Sequence, residues 1–470
     1  MLDELHEECG VFGIYSPDGT DVVSACYYGL YALQHRGQQS CGIAVGDEGV
    51  IRSHKDIGLI SEVFTPASLA ELGSGQMAVA HCRYSAGGGR SASQPMVVRH
   101  IKGTMAIAHN GSLTNAVELR RELELLGGIF HTTADTEVIA YAITKERLNK
   151  PSIEAAVEGA MNILQGAYSM VVMSPQKLIA ARDPMGFRPL CIGKLGNSTI
   201  ISSESCALDA VGAEFVRDVE PGEIVVVDGS GIRSIKTHCN KGSAFCVFEF
   251  IYFARPDSVV EGASVHMARQ RAGEFLAEEH PVDADVVIGV PDSGLDAAMG
   301  YARKSGIPYG MGFLKNKYIG RTFIAPTQKE REDDVRKKLN PIAATVRGKR
   351  VILVDDSIVR GTTGLKIVKL LREAGATEVH MRLSSPPFLY PCYFGTDIDK
   401  QDKLIAHNRT VEEIGEIMGV DSIGFLNVNY LDRIAEGTKC GYCTGCFTGK
   451  YPVPPPACAE GDVKYDKKLK

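Results

Sequence analysis

The chain has 470 residues, which is too long for one ordinary hydrophobic core and predicts two domains. Its 51 lysines and arginines are balanced by 57 acidic residues with no sustained basic tract, so nucleic-acid binding is disfavoured. No run is long and apolar enough to span a bilayer, and the opening MLDELHEE is too short and acidic for a signal peptide, so a cytoplasmic protein without membrane contact is expected.

A potential nucleophile lies at the start of the first predicted strand. The first half carries short β-rich segments, at residues 11–15, 77–81 and 169–173, with helical stretches between them. Cys9 lies just before the first of these. Removal of residues 1–8 as a propeptide would leave Cys9 with a free α-amine beside its own thiol. Because the reference pKa of an α-amine is about 7.7 to 8.0, this amine can accept the thiol proton without a separate histidine.

A cysteine near a chain start is more often inert than catalytic, but four further segments favour catalysis here. They are LQHRGQQS from Leu33, HCRYSAGG from His81, HNGSLTN from His109 and TADTE from Thr133. In this order they resemble the glutamine amidotransferase domain of the N-terminal-nucleophile family. The resemblance spans the first half and implies an αββα sandwich over residues 9–235. Ala86 and Ala134 stand where hydroxyl residues are expected in that family.

The resemblance implies roles for residues within these segments. Cys9 would attack the glutamine amide, while the side-chain amide of Asn110 and the N–H of Gly111 would stabilise the tetrahedral oxyanion. The glutamine-binding residues implied in the same way are Arg83 for the α-carboxylate, Asp135 for the α-ammonium group, and Arg36 and Tyr84 in support. Each residue taken singly has an ordinary structural explanation, and only their joint order favours catalysis.

The second half alternates predicted strands and helices. Residues 286–290 and 351–354 are hydrophobic strands that each end in an acidic turn, which favours a parallel α/β sheet. The polar, glycine-containing stretch at residues 230–243 is the best boundary, which places the second domain at 240–452. Residues 453–470 are expected to form a solvated tail.

The stretch VILVDDSIVRGTT, residues 351–363, has the composition of a phosphosugar site. An apolar strand leads to two acids and a hydroxyl-rich turn, followed by an amphipathic helix over 365–374 that Gly375 can end. Backbone N–H groups at the helix start can hold a phosphate dianion. The turn resembles the phosphoribosyl pyrophosphate (PRPP) motif of type I phosphoribosyltransferases, the alternative being an ordinary strand with a polar exit loop. The PRPP-binding residues implied are Asp355, Asp356, Ser357, Gly361, Thr362 and Thr363.

VPDSG, from Val290, follows another apolar strand and resembles the loop that binds pyrophosphate and the metal in that family. PRPP carries several negative charges, so cleavage at its anomeric carbon needs magnesium and nearby cations. The magnesium ligands implied are Ser293, Asp355 and Asp356. The cations implied in or beside a mobile loop are Lys315, Arg321 and Lys338, although a charged stretch is often only a solvated loop.

Thirteen cysteines cannot all pair within one chain, and disulfides are rare in a reducing compartment, so metal ligation must be considered. Cys443 and Cys446 form a Cys-x-x-Cys ahead of FTGKYP. With Cys246 and Cys392 they match the four ligand positions of iron–sulfur glutamine PRPP amidotransferases, which implies a structural 4Fe-4S cluster. Tetrahedral zinc would fit the same ligand set, and Cys440 makes a second Cys-x-x-Cys with Cys443.

Together the halves resemble the amidophosphoribosyltransferase family, also called glutamine PRPP amidotransferases, in its iron–sulfur, propeptide-bearing type. The resemblance implies that ammonia from glutamine attacks PRPP, giving 5-phosphoribosylamine, glutamate and pyrophosphate in the first committed step of purine biosynthesis. It also implies feedback inhibition by purine nucleotides and a homo-oligomer, either tetramer or dimer.

Two other functions would each explain one half of the sequence. Another amidotransferase, such as glucosamine-6-phosphate or asparagine synthase, would share the first half but not the motif VILVDDSIVRGTT. A PRPP-sensing transcriptional regulator would share the second half, bind PRPP without turnover and need a DNA-binding module. The glutamine chemistry implied in the first half favours the enzyme over the regulator.

Overall fold

The computed structural model describes residues 9–84, 89–316, 338–396, 398 and 400–456. This part of the chain folds into two layered units, which confirms the predicted two-domain α/β class. Among the helices described, none combines the length and the apolar character needed to cross a membrane.

Two stacked antiparallel sheets form the centre of the first unit. Its strands are β1 (Gly10–Tyr15), β2 (Ser40–Asp47), β3 (Val50–Ile57), β4 (Met77–Arg83), β5 (Met96–His100), β6 (Gly103–Asn110), β7 (Ser169–Met173), β8 (Leu178–Arg182), β9 (Cys191–Leu195), β10 (Ser198–Ser202), β11 (Glu214–Asp218), β12 (Ile224–Asp228) and β13 (Gly231–Ile235). Seven strands pair in the order β11-β9-β10-β1-β4-β2-β3, and six in the order β13-β12-β8-β7-β6-β5.

Helices cover the outer face of each sheet. They are α1 (Val22–Ala32), α2 (Ile60–Val63), α3 (Pro66–Leu72), α4 (Ala116–Leu125), α5 (Asp135–Asn149), α6 (Ile153–Met161) and α7 (Ser205–Ala210). Side chains alternate along β1, so Val11 packs between the sheets whereas Phe12 packs beneath α1 and α7. On the other side, α5 and α6 pack on β6 and β7. The αββα sandwich predicted for this half is confirmed.

A parallel sheet of four strands forms the centre of the second unit. The strands of this unit are β14 (Phe245–Cys246), β15 (Val259–Val260), β16 (Ala263–Ser264), β17 (Val286–Gly289), β18 (Phe313–Lys315), β19 (Leu339–Pro341), β20 (Arg350–Asp355), β21 (Glu378–Leu383), β22 (Ser422–Phe425) and β23 (Tyr442–Cys443). The central order is β17-β20-β21-β22, and all three pairings are parallel.

Helices pack on both faces of this parallel sheet. They are α8 (Val265–Glu279), α9 (Gly294–Ser305), α10 (Ala343–Val346), α11 (Thr362–Glu373), α12 (Val411–Met418), α13 (Leu431–Ile434) and α14 (Gly445–Thr448). Along β20, Ile352 and Val354 belong to the core beneath α8 and α9, while Val351 and Leu353 belong to the core beneath α11 and α12. The strand is therefore apolar on both faces, as in parallel sheets generally.

The passage from one unit to the next begins in the polar stretch at residues 230–243. This stretch contains β13, the last strand of the first unit, and each of the five residues of Gly231–Ile235 pairs with β12. The second unit begins with β14 at Phe245.

Candidate active sites

The first site lies where β1 begins and where β4 and β6 end. β1 and β4 are antiparallel neighbours with Gly10 opposite Cys82, so Cys9 and Arg83 lie side by side just beyond that pair. Burial lowers the pKa of the Arg83 guanidinium, and the neighbouring Cys9 thiol and Asp135 carboxylate act in the opposite direction. These electrostatic contacts bring Cys9, Arg83 and Asp135 into one site.

Asn110 and Gly111, the residues expected to form an oxyanion hole, lie at the end of β6 and directly after it. The Asn110 side chain is fully buried, yet its amide nitrogen and oxygen have no hydrogen-bond partner among the residues described. Leaving such a group unpaired costs roughly 1 to 3 kcal/mol, so its donor is available to a bound molecule. Gly111 has φ 129°, and a Cβ there would lie 2.3 Å from the Ala167 carbonyl oxygen, so only glycine fits.

Asp135 is the first residue of α5, and its carboxylate is tied to the loop that follows Gly111. It accepts hydrogen bonds from the Ser112 hydroxyl at 3.1 Å and the Leu113 N–H at 2.8 Å. The carboxylate is therefore held beside the backbone that directly follows Gly111.

One departure from the family pattern, Ala134, and the tyrosine expected to support glutamine binding, Tyr84, are described in the structure. Tyr84 directly follows β4 and is partly buried. Ala134 is the N-cap of α5 and makes no side-chain cap bond, while its own N–H donates to the Thr132 hydroxyl at 3.2 Å. Ala86 lies outside the described residues.

Arg36 is buried directly behind the nucleophile. Its side chain has no exposed area, and its Nε donates to the Cys9 carbonyl oxygen at 3.1 Å. Nη1 contacts Glu204 at 2.6 Å, and Nη1 and Nη2 contact the two oxygens of Glu249 at 2.9 and 2.7 Å. Burial alone would lower the pKa of Arg36, but these two carboxylates raise it above its usual value, so the guanidinium stays charged.

Neither Glu204 nor Glu249 was identified from the sequence. Glu249 did carry a signal, because it is the only charged residue in the apolar run CVFEFIYFA. A lone acid in a buried run requires a positive partner. Glu204, in the polar segment SSESC, offered no comparable signal.

The second site lies at the carboxyl ends of β17 and β20. The Val290 N–H donates to the Val354 carbonyl at 2.9 Å, so the VPDSG loop and the DDSIVRGTT loop leave the sheet together. The predicted strand, turn and helix are confirmed, except that α11 begins at Thr362, three residues earlier than predicted. Gly361 precedes it with φ 87°, and a Cβ there would lie 2.5 Å from Ile405, so glycine is needed where the turn enters the helix.

The paired acids of this site connect the two loops. Asp356 accepts hydrogen bonds from the Ser293 hydroxyl at 2.7 Å and the Ser357 hydroxyl at 2.6 Å. Burial and the Asp356 carboxylate raise the pKa of Asp355 well above its usual value. Burial also raises the pKa of Asp356, while the two serine hydroxyls oppose this rise. A bound magnesium ion would favour the charged form of both acids.

The start of α11 is suited to an anion. The Thr363 hydroxyl is buried without a hydrogen-bond partner among the described residues. Thr362 is exposed beside it, at the first position of the helix. The backbone N–H groups of a first turn and such hydroxyls are common phosphate ligands.

Cations approach the second site from a two-stranded hairpin. Lys315, at the end of β18, forms an ion pair with Asp292 of the VPDSG loop. Lys338 directly precedes β19, and its carbonyl accepts a hydrogen bond from the Asn316 N–H at 2.8 Å. The hairpin therefore brings Lys315 and Lys338 to the same end of β18 and β19. Arg321 lies outside the described residues.

The four cysteines proposed as cluster ligands border one apolar cavity. Cys246 lies directly opposite Cys443 in the pairing of β14 with β23, and Cys392 and Cys446 line the same cavity. Its other lining residues are Phe187, Phe248, Phe388, Phe394, Thr396, Ile398 and Tyr451. Burial raises the pKa of the Cys443 thiol to about 12 and also raises that of Cys246 and Cys446. Formation of thiolates here would need a bound cationic metal.

Within the described ranges, no group of three or more His, Cys, Asp or Glu side chains is already arranged to hold a metal ion. Four thiolates suit both a 4Fe-4S cluster and tetrahedral zinc. Cys440 does not line the cavity, and burial together with Glu261 raises the pKa of its thiol to about 11.

Comparison with known proteins gives matches in both halves. A family model described as a glutamine amidotransferase domain matches residues 81–210, and one described as a phosphoribosyl transferase domain matches residues 263–384. The chain is 49% identical over 462 residues to an amidophosphoribosyltransferase of Methanocaldococcus jannaschii, covering 95% of this chain and 98% of that protein. It is 46% identical over 456 residues to one of Bacillus subtilis, covering 96% and 95%.

Solved structures agree over nearly the whole length. A glutamine PRPP amidotransferase from B. subtilis, complexed with ADP and GMP, superposes with a TM-score of 0.89 at 45% identity and covers 95% of this chain and 98% of its own. A structure described as the allosteric regulatory enzyme of purine biosynthesis superposes with a TM-score of 0.90 at 45% identity, covering 96% and 97%.

Proposed function

The chain belongs to the amidophosphoribosyltransferase family, and from that premise we propose how its two sites carry out the reaction. Ammonia released from glutamine in the first unit attacks PRPP in the second, giving 5-phosphoribosylamine, glutamate and pyrophosphate. This is the first committed step of purine biosynthesis. The observation that carries the proposal is that Arg83 lies near both Cys9 and Asp135, which are far apart in sequence, while Asp135 is bonded to the loop that follows the buried, unpaired Asn110.

In the first unit, Cys9 is the nucleophile once residues 1–8 have been removed. Its free α-amine takes the thiol proton, and the thiolate attacks the amide carbon of glutamine. The Asn110 amide and the Gly111 N–H stabilise the oxyanion of the tetrahedral intermediate. Ammonia then leaves as the glutamyl thioester forms, and water hydrolyses the thioester to glutamate.

Glutamine is recognised by opposite charge at its α-carbon. Arg83 pairs with the α-carboxylate and Asp135 with the α-ammonium group. The burial of Arg83 supports this role, because an ion pair of low exposure is weakly screened by solvent. Tyr84 and Arg36 support the site from its edge and from behind Cys9.

In the second unit, the turn after β20 holds the ribose 5-phosphate of PRPP. The phosphate lies at the positive end of α11, where it accepts hydrogen bonds from the N–H groups and hydroxyls of the first turn. Asp355 and Asp356 face the ribose hydroxyls. The residues that hold the phosphate are Ser357, Gly361, Thr362 and Thr363.

Asp355, Asp356 and Ser293 would hold a magnesium ion, which would supply positive charge to the departing pyrophosphate. Lys315, Arg321 and Lys338 provide the remaining positive charge. The close contact of Ser293 with Asp356 supports this arrangement, because it places the hydroxyl and carboxylate oxygens side by side.

A 4Fe-4S cluster would be held in the cysteine-lined cavity by Cys246, Cys392, Cys443 and Cys446. Its role is structural, because it would join β14, the first strand of the second unit, to β23, which lies near the end of the described chain. Iron and acid-labile sulfide in near-equal amounts in anaerobically purified protein would support the cluster, whereas one zinc per chain would contradict it.

The family resemblance also suggests how the enzyme is regulated and assembled. Purine nucleotides act as feedback inhibitors, a role supported by the ADP and GMP in the B. subtilis structure. The chain assembles as a homo-oligomer, either a tetramer or a dimer. Activity titrations with purine nucleotides and light scattering measure these two properties.

The deciding experiment measures pyrophosphate release from PRPP with magnesium and either glutamine or ammonium salt as nitrogen donor. Mass spectrometry first establishes whether residues 1–8 are absent. Wild-type protein is expected to use both donors, and Cys9→Ala to use ammonia alone. A folded, metal-replete protein that binds PRPP without turnover and retards DNA would contradict the proposal and favour a regulator.

A further inference from the structure

One buried arginine joins the nucleophile of the first unit to a carboxylate of the second. Arg36 donates through Nε to the Cys9 carbonyl at 3.1 Å. Its Nη groups form a two-point contact with Glu249, at 2.9 and 2.7 Å. Glu249 begins the short helical segment Glu249–Phe253 that follows β14, and neither charged side chain has any exposed area.

We propose that Glu249 is a positioning residue for glutamine hydrolysis, although it belongs to the unit that binds PRPP. The guanidinium is planar, so the two contacts with Glu249 fix the direction of the Nε–H bond as well. That bond holds the Cys9 carbonyl, which is attached to the Cα that carries both the α-amine and the thiol side chain. The inference rests on the proposed role of Cys9 as nucleophile.

Glu249 is itself held rigidly, as a positioning residue must be. Arg188 contacts its carboxylate at 3.4 Å. Arg269, a buried residue of α8, fixes the rest of the segment through three carbonyls. Its bonds run from Nε to Phe250 at 2.9 Å and from Nη2 to Tyr252 and Ala254 at 2.8 and 2.7 Å. Because Arg188 contacts the carboxylate and Arg269 holds the backbone of its segment, Glu249 stays in place if the Arg36 guanidinium rotates.

Glu204 allows the role of Glu249 to be tested without removing every anion from Arg36. It belongs to the first unit and contacts Nη1 at 2.6 Å. It also accepts hydrogen bonds from His35 at 2.8 Å and from the Ser258 hydroxyl at 2.6 Å. In Glu249→Gln, Arg36 therefore keeps one buried carboxylate but loses the contact that sets its angle.

The test compares Glu249→Gln with Glu261→Gln in the full-length enzyme. Glu261 forms another ion pair between the units, with Arg182 at 2.7 Å, and neither residue contacts Arg36. In Glu249→Gln, a side-chain NH₂ group replaces one accepting oxygen and opposes the arginine donors. The expected fall in kcat with glutamine is about 10- to 100-fold, the range for a small misplacement of a reacting group.

The other kinetic constants separate positioning from folding. KM for glutamine and the rate with ammonium salt are expected within about twofold of wild type, because Arg83, Asp135 and the PRPP site are unchanged. Glu261→Gln is expected to keep the rates with glutamine and with ammonium salt within about twofold of wild type. Glu249→Asp, which keeps the charge but withdraws it by one methylene, is expected to lose glutamine-dependent kcat less severely.

Three results would overturn the inference. Glu249→Gln could match Glu261→Gln, it could lose glutamine and ammonia activity in parallel, or a folded Glu249→Asp could retain full glutamine-dependent kcat if the Gln variant fails to fold. A wild-type enzyme that cannot use glutamine after removal of residues 1–8 would instead refute the role of Cys9. The two failures are therefore distinguishable.

Discussion

Gly111→Ala tests the oxyanion hole through backbone geometry alone. Gly111 has φ 129°, and an added Cβ would lie 2.3 Å from the Ala167 oxygen and 2.7 Å from its carbonyl carbon. An ordinary contact is about 3.5 Å, so the backbone must move by roughly 1 Å. The unfavourable φ adds about 1 to 3 kcal/mol of strain. Both effects turn the Gly111 N–H away from the oxyanion.

Loss of one oxyanion donor lowers kcat by about 10²- to 10³-fold, equivalent to roughly 2.7 to 4 kcal/mol. We therefore expect Gly111→Ala to lose glutamine-dependent pyrophosphate release on that scale and to keep its rate with ammonium salt. The matched control is Gly127→Ala. Gly127 also has positive φ, 92°, but a Cβ there meets nothing within 4 Å. This control carries the φ strain without the collision.

Steady-state kinetics with each nitrogen donor, together with thermal unfolding, complete the comparison. If Gly111→Ala and Gly127→Ala have the same glutamine-dependent kcat, the Gly111 N–H does not stabilise the oxyanion. A parallel loss with both donors would show that the substitution damages the fold rather than the hole.

Three further predictions concern other parts of the molecule. Asp355→Ala is expected to abolish synthesis with both donors, because the acid serves the shared PRPP site, and pyrophosphate release measures this. Cys446→Ser is expected to lose bound iron by elemental analysis, whereas Cys440→Ser, outside the cavity, is expected to retain it. Burial and the Glu261 carboxylate raise the pKa of Asp218 to about 7. The unfolded value is near 3.9, so the stability from its protonated form is complete below about pH 4 and is lost as the pH rises through 7. The substitution Asp218→Asn is therefore expected to raise the free energy of unfolding, relative to wild type, by about 1 to 3 kcal/mol more at pH 8 than at pH 5, as measured by chemical unfolding.

The fold could be predicted from sequence because its signals are local. The apolar run at 351–354 and the turn after it identify a buried strand and a phosphate-binding helix start before any partner strand is known. The sequence predicts the start of α11 three residues too late, because hydroxyl residues are typical of loops. In the structure Gly361 caps the helix, and Thr362 and Thr363 are its first two residues.

The contacts that set side-chain positions could not be predicted in the same way. Arg36 and Glu249 are 213 positions apart, and neither local sequence indicates which residue is its partner. Cys440 and Cys446 have equal spacing from Cys443, so spacing alone does not choose between the two Cys-x-x-Cys pairs, and only the resemblance of the segment FTGKYP favours Cys446. The strand pairing of Cys246 with Cys443 and the shape of the cavity separate them in space.

The buried charges between the two units fit a role in alignment better than one in stability. Replacement of a buried ion pair by well-packed apolar residues is often neutral or stabilising, so adhesion alone does not require Arg36 and Glu249 at this position. An apolar contact, however, does not fix an angle, whereas a two-point contact between planar groups does. Ammonia made in one unit must reach PRPP in the other before water converts it to ammonium. A junction that fixes the nucleophile relative to the second unit serves that transfer directly.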